Sequence, residues 1–351
     1  MRTVLAVDGG NSKTDVAIVD EAGRLLAAVR GETSSHQAVG LGRGMERLSA
    51  LVAEAVATAS LDTRPDLAVY SLAGADTRAD VRLLSAALEE RGFAADQHIV
   101  NDAFGALRAG TDRAWGVVVI CGQGVNAAGV APDGRSVRLD ALGEISGDWG
   151  GGTDVGWAGL AAAVRARDGR GPRTRLERDV PAHWGLKTPA AVTDAFYNGR
   201  IRYRQIGELS PVVFAAASAG DTEARKIVDR LADEIVTMAA AMIRRLRLTR
   251  EDPDIVLAGG VFRTRDAGFY ERIDAGIGAI APAARAVGLT APPVAGAALL
   301  ALDRLDGGAT TPETSKRVRD EIGGWDASVQ RSVSGPPASR RASSSRSGSP
   351  D

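Results

Sequence analysis

The chain has 351 residues and a formal net charge of −1, with 43 basic and 44 acidic side chains. This length exceeds one typical domain, and balanced charge provides no electrostatic attraction for nucleic acid or an anionic membrane. The single cysteine excludes an internal disulfide, the three histidines form no zinc pattern, and the start lacks the order of a secretory signal. These features predict a cytoplasmic two-domain protein without nucleic-acid or membrane partners.

The first predicted element is a strand that ends in a glycine-rich turn. Val4–Val7 are apolar and suit a buried strand, Asp8 interrupts the run, and a second apolar run covers 16–19. Glycine backbone with hydroxyl and cationic side chains can cradle an anion, so the turn predicts a phosphate site formed by Gly9, Gly10, Asn11, Ser12, Lys13 and Thr14. An ordinary hairpin is the alternative, because the pattern is neither a Walker loop nor G-x-G-x-x-G.

Strands and helices alternate through the rest of the first 110 residues. A polar loop at 31–37 could face a ligand, and the periodicity predicts strands at 25–29, 67–72 and 97–100 and helices at 44–59 and 79–91. Such alternation indicates a mixed α/β sheet with ligand groups at the carboxyl ends of its strands. Asp102 follows the last strand, where its carboxylate suits either chemistry or simple capping of the next helix.

From Trp115 the pattern begins again. A strand at 116–121 ends at a second glycine turn, Gly122-Gln123-Gly124, and a hairpin follows. Two similar halves predict a duplicated domain that holds a ligand between the two turns. In the glycine-rich segment 143–156, Asp148 is placed to accept hydrogen bonds from ligand hydroxyls, although a solvated loop is the alternative.

The remaining pattern is mostly helical. We expect loop at 168–178 and a strand at 254–258 that leads into Gly259 and Gly260, with helices at 189–198, 207–219, 222–247, 269–279 and 292–305. From 307 the composition shifts to Ser, Arg, Gly and Pro, which predicts a disordered tail over 307–351. The predicted domains are therefore 1–110 and 111–306, with helix 292–305 returning to the N-terminal one.

Taken in this order, Asp8-Gly9-Gly10, Asp102, Gly122-x-Gly124, Gly147-Asp148 and Gly259-Gly260 resemble the motifs of the actin-like sugar kinases. The chain resembles in particular the N-acetylglucosamine kinase group of the BadF/BadG/BcrA/BcrD ATPase family, over about 3–305. This resemblance implies two ribonuclease-H-like domains around a central cleft for ATP, magnesium and sugar, and a homodimer.

The resemblance also implies roles for single residues. Asp8 would lie near magnesium, Asp102 would be the general base, and Gly259 and Gly260 would contact adenosine. The first turn and the second, 122–126, would bind the phosphates. The sugar would be bound by Ser35, His36, Asn101, Asp102 and Asp148.

The sequence departs from the family pattern at two motifs and at one loop. Gln123 and Val125 replace two hydroxyl residues of the second phosphate motif, and Trp149 replaces a glutamate of the sugar loop. Near residue 35, where the family commonly carries asparagine, the chain has Ser35 and His36. These departures affect the identity of the substrate more than the type of reaction.

The predicted function is phosphorylation of an amino sugar by ATP, most simply N-acetylglucosamine at its 6-hydroxyl. A catalytically weak sensor that binds sugar and ATP is one alternative. A transcriptional repressor on the same fold is disfavoured, because a helix-turn-helix would be expected before the first strand. An activator ATPase for acyl-CoA reductases or dehydratases is another, but it would need two cysteines per subunit for an iron–sulfur cluster.

Overall fold

The computed structural model describes residues 1–334, and its strands form two five-stranded sheets. The strands of the first sheet are β1 (Thr3–Gly9), β2 (Lys13–Asp20), β3 (Leu25–Glu32), β4 (Leu67–Leu72) and β5 (Asp96–Asn101). Those of the second are β6 (Gly116–Cys121), β7 (Val125–Val130), β8 (Ser136–Arg138), β9 (Asp254–Ala258) and β10 (Arg285–Gly288).

The two sheets repeat one topology. The strand orders are β3-β2-β1-β4-β5 and β8-β7-β6-β9-β10. In each, the central strand pairs antiparallel with its hairpin partner on one side and parallel with a later strand on the other. This confirms the predicted α/β fold with a duplicated, actin-like arrangement.

Helices cover both faces of the sheets. Their bounds are α1 (His36–Val39), α2 (Leu41–Thr58), α3 (Arg78–Arg91), α4 (Asp102–Gly110), α5 (Gly151–Arg167), α6 (Leu176–His183), α7 (Pro189–Tyr197), α8 (Ser210–Ser218), α9 (Thr222–Leu246), α10 (Ala267–Ile280), α11 (Pro293–Leu305) and α12 (Pro312–Ser334). Short 3-10 helices cover Gly143–Ser146, Tyr203–Leu209 and Gly260–Arg263. No helix within residues 1–334 is long and apolar enough to cross a membrane.

The first sheet is apolar on both faces because helices pack on each. Leu5 and Val7 of β1 contact the cluster that contains Leu48 of α2, whereas Val4 and Ala6 contact the cluster formed with α11. Helix α11 therefore crosses back from the second half of the chain to pack on the first sheet. This alternation explains why the apolar run 4–7 has no polar face.

The expectation of a disordered tail from 307 is wrong for 312–334, where α12 forms. Val318 and Ile322 of α12 are fully buried beside α11, so two apolar residues one turn apart fix the helix to the protein. The part of the predicted tail at 335–351 lies outside the described residues.

Three smaller differences concern element bounds. The predicted loop 168–178 ends early, because buried Leu176 begins α6. Helix α5 begins at Gly151, inside the glycine-rich segment that suggested a loop. The four-residue strand β10 was not predicted, since its run is too short for a clear pattern.

Candidate active site

The first turn is held by its own backbone and by side chains behind it. The Gly10 N–H donates to the Lys13 carbonyl at 3.0 Å, and Thr33 Oγ1 donates to the Gly10 carbonyl at 2.8 Å. Asn11 and Ser12 are exposed at the tip. These contacts leave the tip open to a ligand.

Two predicted phosphate residues of this turn have protein partners. Lys13 Nζ forms an ion pair with Asp15, whose side chain is fully buried. The Thr14 hydroxyl lies 2.8 Å from Ser34 Oγ and accepts from the Ser34 N–H at 2.9 Å. Thr14 is fully buried, so its side chain supports the turn from behind.

Asp8 lies at the end of β1 among other carboxylates. Burial, together with the charges of Asp15 and Asp102, raises its pKa to about 7, although Lys13 and Arg30 oppose the rise. A buried carboxylate beside two others is stabilised by a cation, so this position suits a divalent ion. Within residues 1–334 no three His, Cys, Asp or Glu side chains cluster to form a complete metal site. Such an ion would therefore need ligand oxygens or water besides Asp8.

The second turn is fixed by the first turn of α5. The Gly152 N–H donates to the Gly122 carbonyl at 2.7 Å, and the Thr153 N–H donates to the Gln123 carbonyl at 3.0 Å. Gly151 has φ +77°, and an added Cβ would lie 2.4 Å from the Gln123 carbonyl oxygen. Gly122 and Gly124 have open space where a side chain would be, so a ligand can approach their backbone.

A cavity of about 770 Å³ lies beside this second turn. Its walls come from α8, the start of α5 and the segment 260–266, and it is lined by Gly122, Gln123, Gly152, Gly207, Ser210, Pro211, Phe214, Ala215, Ser218, Gly260, Val261, Arg263, Thr264, Arg265 and Asp266. This volume is typical of a small-molecule site. The lining residues of α8 and of 261–266 were not identified from the sequence, because no local pattern distinguishes them from ordinary helix and loop positions.

The two glycines after β9 have different surroundings. Gly259 has φ +105°, and a Cβ there would lie 2.4 Å from the Cys121 carbonyl oxygen, so it is required for packing between strands. Gly260 has open space and lines the cavity. Cys121 itself is fully buried, and burial raises the pKa of its thiol to about 12.

Asp102 is not the cap of α4. That role belongs to Asn101, whose side-chain oxygen accepts from the Ala103 N–H at 3.2 Å. Asp102 is the first helical residue, and burial raises the pKa of its carboxyl to about 6. The Asp76 charge also raises this pKa, while the Ala103 N–H and Arg138 lower it. The carboxylate is therefore ionised at neutral pH and more basic than an ordinary aspartate.

Side chains from the second half of the chain reach Asp102's neighbours. Asn126 Nδ2 donates to Asn101 Oδ1 at 3.3 Å, and Arg138 donates to the backbone carbonyl of Asp76. Asp76 also accepts from Asn101 Nδ2 at 3.0 Å. Asp76 and Arg138 were not predicted as site residues, because this contact joins positions 62 residues apart that only the fold brings together.

The predicted sugar residues fall into two groups. Ser35 is 5% exposed and its Oγ has no partner, whereas His36 Nε2 lies 3.5 Å from Asp80 Oδ1. Asp148 accepts from Ser146 Oγ at 2.6 Å and from the Gly143 N–H at 3.1 Å, within its own loop. Asn101 is hydrogen-bonded to Asn126 of the second half, and the charge of Arg138 from that half acts on Asp102. The contacts of His36 and Asp148 stay within their own halves.

Trp149, next to Asp148 in the sequence, packs against the core of the second half. The Arg230 guanidinium lies 3.8 Å from the centre of the Trp149 ring, so the indole packs on α9. Trp149 thus fixes the loop to the protein and adds no carboxylate to the cleft.

Two halves of the same strand topology, each with a glycine-rich turn after its central strand, define an actin-like ATPase fold. The chain belongs to the BadF/BadG/BcrA/BcrD ATPase family, whose sequence profile matches residues 5–301.

Named relatives match most of the chain. It is 29% identical over 262 residues to the N-acetylmuramic acid/N-acetylglucosamine kinase of Clostridium acetobutylicum, covering 74% of this chain and 86% of that protein. It is 28% identical over 311 residues to the N-acetyl-D-glucosamine kinase of Dictyostelium discoideum, covering 85% and 97%. The fold is similar to the crystal structure of a candidate N-acetylglucosamine kinase from Chromobacterium violaceum, with a TM-score of 0.67 and 22% identity over 86% of this chain and 99% of that one.

Proposed function

We propose that the chain is an ATP-dependent carbohydrate kinase whose acceptor is an amino sugar, N-acetylglucosamine at its 6-hydroxyl. The observation that carries this proposal is the Asp102 carboxylate, which Asn101 frees from helix capping and which lies beside residues from both halves. The family membership supports the use of ATP, and the names of the relatives support the class of sugar.

Asp102 is the general base in this proposal. Its pKa of about 6 keeps it ionised at neutral pH yet able to accept a proton. The O–H bond of the sugar hydroxyl breaks and its proton passes to Asp102. The sugar oxygen bonds to the γ-phosphorus, the bond from that phosphorus to the β,γ-bridging oxygen breaks, and ADP leaves.

The cavity and the two turns bind different parts of the nucleotide. Adenosine occupies the cavity beside Gly260, and backbone N–H groups at the exposed tips of the two turns, residues 11–12 and 123–124, meet the phosphates. Asp8 would hold the magnesium ion that accompanies ATP, and that ion would neutralise phosphate charge. We assign Thr14 to supporting the turn, since Ser34 already occupies its hydroxyl.

The sugar lies on the side of Asp102 that faces away from the nucleotide. Asn101 and Asp148 provide polar groups for its hydroxyls, and the Ser35 hydroxyl is available because the protein gives it no partner. We further propose a homodimer in the cytoplasm, and sedimentation of the purified chain tests the dimer.

The test is ATP consumption with magnesium against a panel of hexoses, amino sugars and N-acetyl amino sugars, with product mass measured. We expect turnover that depends on N-acetylglucosamine and a phosphorylated sugar product. Turnover without any sugar contradicts the acceptor. Absence of turnover, together with thermal stabilisation by both ligands, favours the sensor, because Gln123 and Val125 supply no hydroxyl to the second turn.

A further inference from the structure

A row of charged side chains crosses the first three strands. Asp8 of β1 lies opposite Asp15 of β2, and Asp15 lies opposite Arg30 of β3. Residues directly opposite in antiparallel strands share one face of the sheet. Asp326 of α12 extends the row, because it accepts from Arg30 Nη2 at 2.5 Å. The row therefore connects Asp8 to α12 through Asp15, Arg30 and Asp326.

Arg30 is held on several sides. Its Nε and Nη2 donate to the two oxygens of Asp15 at 2.6 and 2.8 Å, in a forked contact that only a guanidinium can form. Its Cζ lies 5.2 Å from the centre of the Trp325 ring. Asp326 and Trp325 of α12 therefore fix the orientation of Arg30.

Asp15 depends on these cations. Its side chain is fully buried and faces Asp8, so the two carboxylates repel each other unless cations lie nearby. Arg30 and Lys13 provide that charge, and Lys13 is the residue at which the first turn enters β2. The orientation of Arg30 therefore influences the shape and charge of the turn.

Contacts other than Arg30 keep α12 in place. The Leu25 N–H donates to Glu321 Oε2 at 2.6 Å, and Arg317 Nη1 donates to the Ala22 carbonyl at 2.7 Å. Val318 and Ile322 are fully buried. Since the family profile ends at residue 301, α12 lies beyond the part of the chain that defines the family.

We propose that α12 positions the first phosphate turn, with Asp326 and Trp325 as positioning residues that act through Arg30 and Asp15. The inference rests on the proposed function for the identity of the ligand, ATP with magnesium. It predicts that α12 affects nucleotide binding and leaves sugar binding unchanged.

The experiment measures binding of ATP with magnesium by titration calorimetry, and the KM values for ATP and for sugar, on the full chain. The variants are Asp326→Ala, Trp325→Ala and Arg30→Met, with Asp326→Glu as the conservative replacement. Asp320→Asn is the matched control, since Asp320 is exposed and pairs with Lys316 inside α12. Thermal unfolding without ligand identifies any variant that fails to fold.

Asp326→Ala is expected to weaken ATP binding about five- to tenfold and to raise the KM for ATP by a similar factor, because one charge-assisted hydrogen bond is lost. The KM for sugar should stay unchanged, and Asp326→Glu should restore most of the affinity. If Arg30→Met does not fold, the inference is tested with Asp326→Ala and Trp325→Ala alone.

Folded Asp326→Ala and Trp325→Ala proteins that bind ATP like the wild type would overturn the inference, as would an equal rise in both KM values. A wild-type chain that binds ATP without sugar-dependent turnover would refute the kinase proposal alone. A wild-type chain that does not bind ATP would refute both.

Discussion

The two halves of the molecule share a topology and differ in the chemistry of their turns. Counted back from the turn, the paired positions Asp8 and Asp15 of the first hairpin correspond to Ile120 and Asn126 of the second. The first hairpin presents buried charge, whereas the second presents an aliphatic residue and an amide. The same strand topology therefore forms a charged site in the first half and a neutral site in the second.

This difference indicates that electrostatics shape the first turn and packing shapes the second. The charged hairpin suits a cation and phosphates, and it needs Arg30 and Lys13 to hold its carboxylates together. The neutral hairpin depends on packing instead, through hydrogen bonds to α5 and close approaches at Gly151 and Gly259. Substitutions in the first half should mainly change electrostatics, and those in the second should mainly change packing.

The largest expected effect is at Asp102, the proposed general base. Asp102→Asn should lower kcat about 10²- to 10⁴-fold with ATP and sugar binding largely retained, because proton acceptance is lost while the shape is kept. Wild-type kcat/KM should fall as the pH drops below about 6, where Asp102 becomes protonated. Steady-state kinetics from pH 5 to 8 check both, with exposed Asp133→Asn as the control. Near-normal turnover of Asp102→Asn would remove this residue from catalysis.

Packing in the second half is tested by neighbouring glycines. Gly259→Ala should destabilise the fold by more than about 3 kcal/mol, because its φ is positive and the Cβ meets the Cys121 carbonyl. Gly260→Ala should leave unfolding nearly unchanged and raise the KM for ATP, since it faces the cavity. Urea unfolding measures the stability of the two variants, and steady-state kinetics measures their KM for ATP. Equal stability of the two variants would contradict the packing role of Gly259.

Electrostatics in the first half are tested at Asp8. Its carboxyl pKa is raised from 3.8 to about 7, chiefly by burial. Below pH 3.8 the carboxyl is protonated in both the folded and the unfolded protein and costs no stability. As the pH rises to about 7 the cost of ionising it in the fold grows, and above about pH 7 that cost is complete. Asp8→Asn should therefore stabilise the ligand-free protein at pH 8 by about 2 to 4 kcal/mol and do little at pH 4, while turnover falls. Denaturant titrations in chelator at both pH values measure this. A variant less stable at pH 8 would show that Asp8 is already well compensated.

The smallest effect is expected at the contact between the halves. Arg138→Met should raise the KM for sugar about 3- to 10-fold with a smaller change in kcat, because the hydrogen bond to the Asp76 carbonyl is lost beside Asp102. Arg135→Met is the control, as Arg135 is exposed and pairs with Asp133. A rise in the KM for ATP alone would place Arg138 on the nucleotide side.

Much of the fold was predictable because its central strands are buried apolar runs. The predicted bounds of β4, β6 and β9 match the structure residue for residue, since β6 and β9 end directly before a glycine and β4 begins directly after Asp66. Helix α12 was missed because its sequence is rich in Ser, Arg and Gly. Its buried seam of Ser315, Val318 and Ile322, spaced three and four residues apart, was the available signal.

The site was less predictable than the fold. The two glycine turns and Asp102 stand at strand ends, where local pattern is informative. The partners that decide what each residue does come from elsewhere in the chain, as with Ser34 at Thr14, Asn126 at Asn101 and Arg138 at Asp76. Local sequence also could not distinguish Gly259, which packs, from Gly260, which faces the cavity.

The most direct test of the account follows the γ-phosphoryl group itself. Label from γ-labelled ATP is traced in reactions with N-acetylglucosamine and with its 6-deoxy analogue, and the position of the phosphate is read by NMR. We expect label on the 6-oxygen of N-acetylglucosamine and none on the analogue. Label on a sugar that lacks the 6-hydroxyl, or label only in inorganic phosphate with both sugars, would contradict it.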